Sequence, residues 1–287
     1  MRRGGFPAPL VFAISLGLFA QESARYIVER IATGYRFTEG PAWSKDGFLV
    51  FSDTPNNQLL KWVPGRKAEV LREHANGPSG NTFDAQGRLY TCETRARRVT
   101  RTEKNGAVEV LAERWEGKRL NGPAAIAVSK SGHVYFTDPA FGYQSDGREL
   151  DFYGVYHIPP KGPMELVARP AGRPHGIALS PNGRTLYVGN ADEHNIRAYD
   201  IGRNGEASNE RVLISIVSGV PGGIAVDEKG NLYVAGKGIS VYNPQGQLTQ
   251  TIEMQDPASN CSVLETDMLN LFVTSRGTVY RIHPAAQ

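Results

Sequence analysis

Charge of one sign, cysteine and long apolar runs are all scarce in this sequence, and each shortage excludes something. Against 32 Lys and Arg stand 29 Asp and Glu, a formal net charge of +3 over 287 residues, with no basic block. That balance argues against a nucleic-acid partner, which needs a clustered positive face. The two cysteines, Cys92 and Cys261, have no zinc-type spacing. The apolar run at residues 9–20 is about 12 residues long, where a bilayer-spanning helix takes roughly 20. No G-x-S-x-G elbow, H-E-x-x-H helix or phosphate-binding glycine loop is present.

What the chain does have begins with a leader. Arg2 and Arg3 precede the short apolar run, the pattern of a secretory signal with cleavage after Ala20. Leu18, at the minus-three place, is larger than such sites prefer. The expectation is therefore a signal peptide at 1–20, one domain at 21–287, and export to the periplasm or medium. Loss of the two leader arginines takes the net charge from +3 to +1. No membrane association is expected after cleavage.

The mature chain is built on one repeated unit, clearest in VPGGIAVDEKGNLYVA at 220–235. A short apolar run, a polar turn closed by Gly230 and a second β-rich run read as two strands joined tightly. The turn glycines Gly47, Gly87, Gly132, Gly183 and Gly230 mark five copies, spaced 40, 45, 51 and 47 residues apart. A sixth, more divergent copy runs from Asn260 to Met268, 38 residues after Gly230. Periods of about 40 to 50 residues with several strands each are propeller blades. The sequence thus predicts an all-β, six-bladed propeller. Blade one should have strands at 41–44, 49–52, 58–63 and 68–71. The last copy lacks room for a fourth strand, so residues 26–31 are predicted to complete blade six and close the ring. Cys92 and Cys261 then fall in non-adjacent blades and are expected to be free and buried.

The register also defines a ring. Eight residues before each turn glycine lie Glu39, Ser79, Ala124, His175 and Gly222, and the sixth copy gives Asn260. These six should surround one axis at the top of the channel. A carboxylate, a hydroxyl, an imidazole and a carboxamide there could hold a cation, polarise a carbonyl or simply line water. Loops between second and third strands share this rim. The longest, 139–154, has Tyr143, Asp146, Arg148 and Asp151.

EGPAW from Glu39, GKRLNGPAAIAV from Gly117, YFTDPAFG from Tyr135, RPHGIALSPNGRTLYVGNAD from Arg173, the repeat at 220–235 and LFVTSRGTVYRI from Leu271 together resemble the regucalcin/gluconolactonase family. The resemblance spans the whole chain after the leader. It implies a metal-dependent hydrolase of sugar lactones or related small esters. Of the implied metal ligands only Glu39 is retained; the ring itself adds His175 and Asn260 as candidate ligands, and the catalytic base would be Glu39, His175 or a rim acid such as Asp138 or Asp192. Asn121, Asp138, Asp192 and Arg276 are candidate substrate contacts, although Asp138 also suits turn shaping and Asp192 a solvated turn.

The family's Asn and Asp ligand positions read Ala124, His175 and Gly222 here. One of four oxygen donors remains, with an imidazole standing in for another. The resemblance implies calcium; the ring composition favours zinc or manganese. The competing reading is a catalytically silent propeller that binds a small ligand or a protein at the same mouth. The expected partner is a small molecule; oligomeric state is left open.

Overall fold

The structure, a computed structural model, describes residues 26–141, 147–265 and 269–285. The leader at 1–20, Tyr143, Asp146 and Met268 lie outside the described residues. Six four-stranded antiparallel sheets follow one another along the chain, as the repeat predicts. Blade one consists of Thr38–Ser44, Phe48–Asp53, Gln58–Trp62 and Glu69–Arg72, within three residues of the expected bounds. Each later copy repeats that order.

The turns form for the local reasons expected. All five repeat glycines take positive φ, from 67° at Gly183 to 87° at Gly132, where a Cβ would be strained. The residue opening each turn fixes its backbone. Asp227 Oδ1, for example, accepts from the amides of Lys229 at 3.0 Å and Asn231 at 2.7 Å.

Closure is also as expected. Tyr26–Thr33 pairs antiparallel with Thr278–Pro284 as the outer strand of blade six, with a bulge between Arg30 and Ala32. Tyr26 Oη and Arg30 then reach Gln250 and Gln255 beside blade five. At the inner edge Thr38 donates to the Arg276 carbonyl, joining blade one to blade six.

The core is divided into six apolar clusters, one between each pair of neighbouring blades. Leu49, Phe51 and Phe272 pack between blades one and six, where Trp43 stacks flat on Phe272 at 5.0 Å. Leu186, Tyr135 and Val155 fill the space between blades three and four. Cys92 and Cys261 are buried in blades two and six, and burial pushes both thiols up.

One element was not expected. A two-rung hairpin, Arg114–Trp115 with Lys118–Arg119, stands between blades two and three. Positive φ at Glu116 and Gly117 suits its tight turn.

Candidate active site

The inner strands meet through backbone. A Cβ added to Gly40 would lie 2.2 Å from the Ser79 carbonyl, and one at Gly80 would lie 2.5 Å from that of Ala124. At Gly176 it would meet the Gly222 carbonyl at 2.3 Å, and at Gly223 the Asn260 side chain at 1.8 Å. Each of these glycines immediately follows a ring residue. Their missing side chains let neighbouring blades approach closely enough to bring the six ring positions to one mouth.

Hydroxyls complete the joints. Ser52 donates to the Ser79 carbonyl and Thr137 to the His175 carbonyl, both at 2.7 Å, while Ser259 donates to the Thr38 carbonyl at 2.8 Å. Blades one, two and four break register at the ring, after Glu39 in blade one and across Ser79 and His175 in blades two and four, which re-aims the chain at the rim.

Glu39, Ser79, Ala124 and His175 line one cavity of about 570 Å³. Glu39 is buried, and its Oε2 accepts from the Asn260 amide at 2.9 Å and from the Gly40 N–H at 3.2 Å. Below the ring the axial channel is walled by Ile126, Ile177 and Ile224.

His175 and Phe141 meet edge to face, ring centroids 4.9 Å apart. Above Phe141 sits the Arg173 guanidinium, 5.0 Å from the ring centre. Arg173 is gripped in turn by Asp192 at 2.6 Å, and that bond holds the Asp192 carboxyl below its usual range.

The implied substrate contacts fall elsewhere. Asn121 and Asp138 are wholly buried and do not line the cavity. Asp138 accepts from the amides of Asn121 at 2.8 Å and Gly122 at 2.6 Å, fixing the chain just before Ala124. Burial pushes its carboxyl up to about 6, against those two N–H bonds, which pull it down. Asp53 does the same in blade one, accepting from Arg36 and Phe37 ahead of Glu39. These acids aim the ring rather than touch its contents. Asp192 is occupied by Arg173, and Arg276 pairs with Asp256 at 3.0 Å on the open rim.

The residues present do not fit the metal that the family resemblance implies. Asn260 was expected to offer oxygen, but its Oδ1 accepts from the Cys261 N–H at 2.8 Å and its amide faces Glu39. The backbone donor fixes that orientation. Ala124 and Gly222 supply no side-chain donor. Calcium needs six to eight oxygens, and among the described residues Glu39 is the one carboxylate lining the cavity. Among the described residues no group of three or more His, Cys, Asp or Glu is placed to hold a metal ion. A carboxylate could not be restored simply at Gly222 either, where a Cβ would lie 2.2 Å from the Ser259 carbonyl.

Sequence reasoning missed the apolar half of the mouth. Phe37, Pro55, Phe141 and Val220 line the same cavity, with Phe37 42% and Val220 57% exposed. Phe141 lay inside a quoted motif. Phe37 and Val220 each lie two residues before a ring position, a regularity visible only once the ring is taken as the reference.

Fold and mouth together define a six-bladed propeller with an axial pocket carrying one buried carboxylate and one imidazole. The model of the SMP-30/gluconolactonase/LRE-like region matches residues 37–277, and the chain belongs to that family. A gluconolactonase of Zymomonas mobilis is 31% identical, over 89% of this chain and 80% of the relative. The regucalcin of Xenopus laevis is 24% identical over 85% of each. Among solved structures, a gluconolactonase from Xanthomonas campestris superposes with a TM-score of 0.84 at 32% identity, covering 91% of this chain and 90% of that one. A calcium-binding regucalcin from Agrobacterium tumefaciens, at 16% identity and a TM-score of 0.75, shares the fold.

Proposed function

We propose that this propeller hydrolyses lactones or related small esters at the mouth, using Glu39 and His175. The observation that carries the reading is that the cavity presents a firmly held carboxylate and an imidazole together. The likeness to gluconolactonases of Zymomonas and Xanthomonas supports the reaction class. His175 takes a proton from water as the water oxygen bonds to the lactone carbonyl carbon. Glu39, held by Asn260 and Gly40, orients that water from a fixed acceptor position. Collapse of the adduct breaks the ring C–O bond, and the leaving oxygen takes the proton back from the imidazolium. The product is the open hydroxy acid, which releases one proton at neutral pH. The donor set does not fit a resident metal, so no step is routed through one.

The test is a pH-stat assay on a lactone panel with Glu39→Gln and His175→Ala. Each variant should lose about 100-fold or more in kcat, the usual span of a positioned base. Full activity in both variants would remove the chemistry from the ring. Missing donors at Ala124 and Gly222 favour a second reading, binding without turnover. Ligand-induced stabilisation in the absence of any hydrolysis would establish it.

A further inference from the structure

We infer that the mouth selects an apolar lactone or ester, aryl- or alkyl-substituted, over a polyhydroxylated sugar lactone. This rests on the hydrolase reading for its reaction but on separate observations for its substrate class.

A sugar lactone carries a hydroxyl on most ring carbons. A site that prefers it must pair those hydroxyls, because each one buried without a partner costs free energy. Beside Glu39 and His175, the polar side chains among the described residues lining the cavity are Thr54, Ser79, Thr94 and Arg95, too few for a ring of hydroxyls. Thr54 and Thr94 line the cavity, yet each hydroxyl hydrogen is already committed at 2.6 Å, Thr54 to the Pro78 carbonyl and Thr94 to that of Pro123. One oxygen of Glu39 is occupied by the Asn260 amide and the Gly40 N–H. Two of the six ring positions are Ala124 and Gly222, with nothing to offer.

The apolar wall, by contrast, is built and held. Phe37 stands in the cavity 42% exposed, its own N–H bonded to Asp53 Oδ1 at 3.3 Å. Phe141 is held by contacts to the His175 ring and to the Arg173 guanidinium, which Asp192 fixes in turn. Val220 belongs to the same lining. Exposed aromatic surface kept rigid beside the reacting groups is a surface to be covered by substrate. An aryl or alkyl group laid there leaves the lactone carbonyl beside Glu39 and His175.

The experiment compares the full chain on dihydrocoumarin, δ-decalactone and glucono-1,5-lactone, in wild type and in Phe37→Ser and Phe141→Ala. Wild type should show kcat/KM at least tenfold higher on the two apolar lactones than on the sugar lactone. In each variant that ratio should fall about tenfold. Equal or greater kcat/KM on glucono-1,5-lactone, with the ratio unmoved by either substitution, would overturn the substrate class and leave the hydrolase reading standing. If nothing is turned over but dihydrocoumarin raises the melting temperature, and Phe37→Ser abolishes the rise, the ligand class stands and the hydrolase reading falls. Absence of both turnover and thermal shift overturns both.

Discussion

Gly80→Ala tests the packing that creates the mouth. Gly80 does not adopt positive φ, so its backbone tolerates alanine and the whole penalty comes from space. The new Cβ would lie 2.5 Å from the Ala124 carbonyl and 2.7 Å from Ala125 Cα, where ordinary contact begins at 3.4 Å. Both are backbone atoms with no rotamer to yield. The inner strands of blades two and three must therefore part by about 1 Å, since overpacked interiors relieve strain by backbone shifts. Overpacking of this kind costs about 1–3 kcal/mol. The parting also stretches the 2.7 Å bond from the Gly80 N–H to the Ala124 carbonyl, worth about 1 kcal/mol. Alanine returns about 0.4–1 kcal/mol by stiffening the unfolded chain. The net loss is about 1–3.5 kcal/mol, or roughly 2–10 °C in Tm for a domain of this size. Gly47→Ala is the comparison. Open space surrounds it, but φ is +84°, so only the left-handed penalty of about 1–2 kcal/mol applies, less the same return. Urea unfolding with unchanged m-values, paired with thermal melts, reads both. A Gly80→Ala protein within about 0.5 kcal/mol of wild type, or one harmed less than Gly47→Ala, would show that the inner strands are compliant and refute the close-packed ring.

Two further outcomes follow from closure and burial. Deleting residues 21–33 bares the Thr278–Pro284 edge and should give self-association by light scattering, since unpaired edges template pairing; a monomer with unchanged Tm would rule the closure out. Burial raises Asp138 to about 6, so its favourable contribution is fully present below its ordinary carboxylate value and is lost as pH rises through about 6. Two pK units correspond to about 3 kcal/mol, so the stability of wild type relative to Asp138→Asn should decline by up to that amount between pH 4 and pH 7, and a constant difference by urea midpoint would contradict the raised value.

The architecture was legible because its signals are local. A turn glycine that must take positive φ, followed by a β-branched and aromatic run, is readable five times over, and the sixth copy, without its glycine, is found by spacing. Closure was legible by counting, since a final copy one strand short and a leading strand without a blade leave one simple solution. The mouth was legible only in part. Glu39 and His175 stood out because the register places them. Asn121 and Asp138 sit in motifs of the same kind, yet their side chains are spent on backbone amides and carbonyls, and only burial tells them apart from binding groups. Gly40, Gly80, Gly176 and Gly223 looked like motif letters; their purpose is close approach between blades, which is a property of two strands at once. Phe37 and Val220 lie two residues before ring positions in two blades, too few to register as a period without the ring as reference. The hairpin at Arg114–Arg119 is too short for periodicity to register.

The ring is consistent with its own losses. A buried carboxylate needs either a cation or hydrogen-bond donors. With Ala124 and Gly222 unable to share a cation with Glu39, the Asn260 amide and the Gly40 N–H supply the donors instead. The backbone has settled around that arrangement. Blades five and six close so tightly at Gly222 and Gly223 that Ser259 and Asn260 occupy the space any side chain there would need. Introducing an aspartate at Gly222 would therefore force the two inner strands apart before it could offer an oxygen. At Gly223 a side chain would instead meet Asn260, whose amide holds Glu39. The absence of the usual donors at Gly222 and Gly223 is thus built into the packing of the mouth, beside an aromatic wall of Phe37 and Phe141.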